Sequence, residues 1–130
     1  TLMPCEVIWA FHIPIQRNVR SAFVKVGSRK RVTISRLNLA MSVKFSGETL
    51  SDVEVCLGTL GPRSVRVTDI ESKLNGISAK DFPVGPFLDL LTNAVDQAIP
   101  DRPSRTYKRT AVRGLGTDVL DVLFGSRCIW

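Results

Sequence analysis

The segment FVKVGSRKR, Phe23 to Arg31, gathers Lys25, Arg29, Lys30 and Arg31 around one glycine, Gly27. Such a cluster can hold an anion: a phosphate, a nucleic-acid backbone or the negative edge of a cofactor. With one glycine, a phosphate here would be held by side chains and not by a nest of main-chain amides. A second candidate loop, GTLGPR at Gly58 to Arg63, follows an apolar run. Pro62 comes directly after Gly61, and neither a GK[ST] nor a helix start accompanies it, which excludes a Walker loop and a dinucleotide fingerprint and leaves a turn.

Catalytic groups are scarce. The single histidine, His12, has no partner for a metal cluster or a triad, and a structural role is expected for it. Cys5, Cys56 and Cys128 are odd in number and widely spaced, which speaks against a disulfide framework or zinc site and for a reducing cytoplasm. Cys56 alternates with Val55 and Leu57 and is expected to be a small buried hydrophobe. The carboxylates from Asp52 to Asp121 are spread singly, without a pair for acid–base work. The chain is not expected to be catalytic alone.

The elements that position these residues follow from periodicity. The chain has 130 residues, 44% hydrophobic and 23% charged, with net charge +6 and pI near 9.7. One domain over 1–130 is expected, and no window approaches the roughly 18 apolar residues of a membrane span. Val7, Trp9, Phe11 and Ile13 alternate up to Pro14 and predict a first strand with an apolar core face. Because Trp9 and Phe11 lie on that face and no RNP-like run is present, base stacking is not expected and nucleic acid is not among the expected partners.

Ala22 to Val26 predicts a second strand, Leu37 to Phe45 the most regular one, and Leu50 to Leu60 another with Val53, Val55 and Leu57 inward. Thr68 and Glu71 have capping-box spacing ahead of a short helix stopped by Asn75 and Gly76. Phe87, Leu90, Leu91, Ala94, Val95 and Ala98 form the stripe of a second helix. Ser104 can cap a third, with Val112, Leu115, Val119, Val122 and Leu123 on one side despite Gly114 and Gly116. Strands first and helices after predict an α+β fold: a three- to four-stranded antiparallel sheet with about three helices on one face. The chain opens without Met and almost directly in a strand, and is expected to be the C-terminal part of a longer polypeptide.

Four blocks, in order, carry a family resemblance: FHIPI (Phe11 to Ile15); AFVKVGSRKRVTISRLNLAMSVKF (Ala22 to Phe45), similar to an F-x-K-x3-R-x4-I-A pattern; VCLGTLGPRSVRVTDIESKLNG (Val55 to Gly76); and IPDRPSRTYKR (Ile99 to Arg109). Together they resemble the C-terminal domain of the FAD-binding (medium) subunit of molybdenum hydroxylases, the carbon monoxide dehydrogenase flavoprotein and xanthine dehydrogenase family. The chain departs from the pattern at Ser35, where alanine is usual, and at Lys108, where arginine usually follows the tyrosine.

The resemblance implies part of an FAD-dependent oxidoreductase. Upstream domains would hold most of the FAD, with this domain closing over the isoalloxazine. Electrons would come from the molybdenum and iron-sulfur subunits and leave to NAD or another acceptor. It further implies Lys25 facing the flavin ring, with Arg29 and Lys30 on the adjoining loop. Reduced flavin is anionic at N1 and C2=O, so a cation held about 4 Å away is worth up to roughly 4 kcal/mol at an effective dielectric of 20, before desolvation. The residues alone also admit a second reading: a stand-alone basic α+β module binding nucleic acid or serving as a protein-interaction scaffold.

Overall fold

The computed structural model describes residues 2–29 and 33–125. Four strands, β1 (Val19–Gly27), β2 (Ser35–Ser46), β3 (Thr49–Gly58) and β4 (Val65–Arg66), precede helices α1 (Thr68–Leu74), α2 (Val84–Ala98) and α3 (Arg105–Phe124), with a 3-10 turn at Ala79–Asp81. The sheet is an antiparallel meander in the order β1-β2-β3-β4. The expected α+β architecture is the one found.

The two-residue period of β2 decides which face the helices cover. Leu37, Leu39, Met41 and Val43 are fully buried, while Asn38, Ala40, Ser42 and Lys44 look out from the other face. Val55 and Leu57 of β3 join the buried layer, against which α1 and α3 pack. Each Leu or Val so removed from water contributes about 1.5–3 kcal/mol. β2 and β3 meet through a two-residue loop in which Gly47 takes the left-handed φ of +64°.

Further along, Ser42 pairs with Glu54 but Lys44 with Ser51, so Asp52 and Val53 together face Val43 in a β-bulge. Asp52 carries the left-handed backbone, φ +46°. The extra residue shifts the inside–outside parity of β3, which is how Leu50 and Val53, three apart, are both buried.

The helices follow their predicted stripes. Phe87, Leu91 and Val95 of α2 and Val112, Leu115, Val119 and Leu123 of α3 are buried, joined by Leu120, whereas Val122 is exposed. Gly116 lies where α3 meets α2: a Cβ there would collide with Leu88 and stand 2.9 Å from Leu91 Cδ1. Gly114 faces open space.

Three expectations are corrected. Residues 6–16 form no strand of this sheet, and the side chains of Val7, Trp9, Phe11, Ile13 and Ile15 are 79–97% exposed. The periodicity is that of a strand, but periodicity alone does not supply a pairing partner, and residues 6–16 add to neither open edge of the sheet, β1 or β4. The capping box does not form: Val67 is the N-cap of α1, without a side-chain bond. Glu71 instead accepts from the buried Val55 N–H at 2.9 Å and from Arg66 Nη2 at 2.9 Å, partners that secure α1 to the sheet. Cys56 is half-buried on the uncovered face.

Candidate functional site

Antiparallel register aligns the open face of the sheet into cross-strand rows. Lys25 of β1 sits opposite Asn38 of β2, which sits opposite Gly58 of β3. The next row is Phe23, Ala40, Cys56 and Arg66. Apart from Phe23, Glu54 and Arg66 the outward side chains lining the middle of this face are small, which makes it a shallow recess floored by Ser21, Ala40, Ser42 and Cys56, with the Glu54 carboxylate at its side. Phe23 stands at its edge, 61% exposed.

Close backbone approach shapes the end of the sheet that carries Lys25. A Cβ on Gly58 would collide with the Asn38 carboxamide, so glycine is what lets that amide lie across β3. A Cβ on Gly27 would collide with the Thr33 side chain, which pinches the base of the loop from which Arg29 projects. Lys25 is exposed, and its Nζ donates to the Thr33 carbonyl at 3.4 Å. Lys30 and Arg31 lie outside the described residues.

Two further cations reach this end. Arg36, second residue of β2, is exposed, and its carbonyl accepts from Thr59 Oγ1 at 2.9 Å. Lys108, from the first turns of α3, is buried and donates to the Thr59 carbonyl. Thr59 itself has a left-handed φ of +64°. Burial pushes the Lys108 ammonium below the ordinary lysine range, and the neighbouring Arg102 charge pushes it further in that direction.

Ion pairs hold part of the described cations. Arg66 pairs with Glu71 and Glu54, Arg105 and Arg109 with Asp96, Arg113 with Asp89, Lys44 with Asp52, and Lys80 with Glu48. Lys25, Arg29, Arg36 and Lys108 form no ion pair among the described residues, and neither do Arg17, Arg20, Arg63, Lys73 and Arg102; what marks this end is that Lys25, Arg29 and Arg36 are gathered there. Unmatched cations beside a flat platform of small side chains suit the anionic edge of a planar ring system. They do not suit a pyrophosphate equally well, because the Gly58 to Pro62 loop leads into β4 and not into a helix N-terminus.

Of the predicted site residues, Lys25 and Arg29 are thus brought to one end of the sheet. Sequence reasoning missed Arg36, Asn38, Gly58 and the buried Lys108. Asn38 was readable as outward-facing, but its approach to Gly58 is set by register, and Lys108 is brought in by the packing of α3. His12 is exposed and in no element. The exposure of Trp9 and Phe11 removes burial as a reason to discount base stacking. No described helix is long and apolar enough to cross a membrane.

The family described as CO dehydrogenase flavoprotein C-terminal domain matches residues 22–122. No curated protein matches the chain. Among solved structures, a carbon monoxide dehydrogenase from Hydrogenophaga pseudoflava is similar at 18% identity over 88% of this chain and 39% of that one, with a TM-score of 0.70. Quinoline 2-oxidoreductase from Pseudomonas putida 86 is similar at 17% identity over 88% of this chain and 40% of that one, with a TM-score of 0.69. Reconstituted CO dehydrogenase from Oligotropha carboxidovorans gives 17% identity, 84% and 38% coverage and a TM-score of 0.62. At these identities the likeness is one of fold, and the chain spans about two-fifths of the length of these relatives. The match over residues 22–122, on a sheet-then-helices architecture derived independently from the residues, establishes that the chain belongs to the CO dehydrogenase flavoprotein C-terminal domain family.

Proposed function

We propose that this chain is the C-terminal domain of the flavoprotein subunit of a molybdenum hydroxylase, closing over an FAD held mainly by upstream domains. The family match carries this reading, and the gathering of Lys25, Arg29 and Arg36 at one end of the sheet supports it. FAD, when bound, supplies electron transfer between iron-sulfur clusters and a final acceptor such as NAD. Lys25 would face the N1 and C2=O edge of the ring, with Asn38 as a neutral hydrogen-bonding neighbour. Arg29, together with Lys30, would line the acceptor's approach on the loop after Gly27. The platform of Ser21, Ala40, Ser42 and Cys56 would exclude water from one side without steric cost.

Binding of the cofactor's phosphates falls to parts outside this chain, and so does the chemistry at molybdenum. The natural partners in this reading are the upstream FAD-binding domains and the molybdenum and iron-sulfur subunits. A reducing, cytoplasmic setting is part of the same reading.

The test compares FAD retention and NADH oxidation by the complete subunit with those of the isolated chain. The complete subunit is expected to purify yellow, and the isolated chain to bind FAD weakly or not at all. Stoichiometric FAD on the isolated chain would contradict the division of labour, and a complete subunit that never binds flavin would overturn the reading.

A further inference from the structure

The stretch from Val7 to Ile15 has the two-residue apolar period of a β-strand but pairs with no strand among the described residues, although β1 and β4 each have an open edge. Val7, Trp9, Phe11, Ile13 and Ile15 project almost wholly into solvent, and Ile8 on the opposite side is half exposed. Main-chain groups from Val7 to Gln16 make no main-chain hydrogen bond among the described residues, so both ladder edges are open. Val7 to Gln16 contains no Lys, Arg, Asp or Glu, although the chain as a whole carries +6. A lone extended strand this apolar is not stable in water and invites pairing with any available edge.

We infer that Val7 to Ile13 is a β-strand donated to the sheet of the upstream FAD-binding domain, with Pro14 ending the ladder and Gln16 to Asn18 leading back to β1. This rests on the functional reading above, in which such a domain precedes the chain. Three observations select that occupant. The segment precedes the matched residues 22–122 and is tied to them only through its C-terminal end. About three-fifths of the length of the similar solved chains lies outside what this chain covers, which leaves room for a sheet to receive the strand. Its lack of charge fits the interior of a sheet and not a contact steered by the cationic end. The recess between Ile13 to Gln16 and the Ser21, Ser42 and Glu54 side of the open face lies beside the incoming strand. The upstream domain would therefore sit against the face that also presents Lys25, so the donated strand is a positioning device for that lysine.

Hydrogen exchange at the amides of residues 7–13, measured in the complete flavoprotein subunit and in this chain alone, tests the inference. At least 100-fold slower exchange in the complete subunit is expected, with near-intrinsic rates in the chain alone. Trp9→Asp and Phe11→Asp are expected to abolish the protection in the complete subunit and to leave the melting temperature of the chain alone unchanged, since neither side chain is buried in it. Equal, fast exchange in both would overturn the inference, as would protection in the chain alone through self-association. A subunit that holds FAD with residues 7–13 unprotected refutes the strand and spares the functional reading. A protected strand in a subunit that binds no flavin refutes the functional reading and leaves the strand.

Discussion

Lys108 Nζ donates to the main-chain carbonyl of Thr59, joining the first turns of α3 to the left-handed residue that directly follows β3. The bond spans 49 residues of sequence and connects the helical layer to the end of the sheet where Lys25, Asn38 and Gly58 align. A buried ammonium with no carboxylate partner is costly, and here the carbonyl of a strained residue is what it satisfies.

Lys108→Ala is therefore expected to destabilise the chain by about 1–3 kcal/mol, because it leaves the Thr59 carbonyl without its donor and opens space beside it. Urea unfolding measures this directly. An unchanged midpoint would show that the bond contributes nothing.

Glu71 gives a pH-dependent prediction. The Arg66 guanidinium, first, and the Val55 amide hold its carboxyl below the usual carboxylate range against the opposing effect of burial. A depressed folded value means that the stabilisation is complete above the unfolded value of about 4.3 and is lost as pH falls from there through the folded value. Glu71→Ala should cost about 1–3 kcal/mol at pH 7, where the Val55 N–H loses its acceptor. The gap between the two proteins should narrow steadily below about pH 4. A gap of constant size from pH 7 to about pH 3 would show that the carboxylate charge is not what stabilises the α1 contact.

Gly114 and Gly116 are separated by one residue and have opposite requirements. Gly116→Val should destabilise by about 1–3 kcal/mol, since its side chain must displace Leu88 and Leu91 at the α2–α3 contact. Gly114→Ala has open space and should stabilise α3 by up to about 1 kcal/mol. Thermal unfolding of the two variants is expected to move the midpoint in opposite directions. A shift of the same sign in both would contradict the assignment of the close contact to Gly116.

What was legible in the sequence was whatever a single element decides. The alternation from Leu37 to Phe45 and the stripes of α2 and α3 depend on local period, and they appear where the period places them. The two residues of β4 are too few to carry a period. Glu71 has the spacing of a capping residue relative to Thr68, but an amide on β3, 16 residues away, captures it. Val7 to Ile13 is the sharpest case: its period is that of a strand, but no strand forms there among the described residues, because period alone does not supply a pairing partner. For the proposed site, Lys25 and Arg29 were named from charge and resemblance. Lys108 was not, because its place beside β3 is a product of helix packing.

The most direct measurement for the central claim is the midpoint potential of FAD in the complete subunit, with Lys25 and with Lys25→Ala. Loss of a cation beside the ring's anionic edge, worth about 1–4 kcal/mol after and before solvent screening, corresponds to a potential lower by roughly 20–90 mV for a two-electron couple. The predicted result is a fall in that range, with FAD still bound. An unchanged potential in a fully loaded variant would contradict the placement of Lys25 at the flavin.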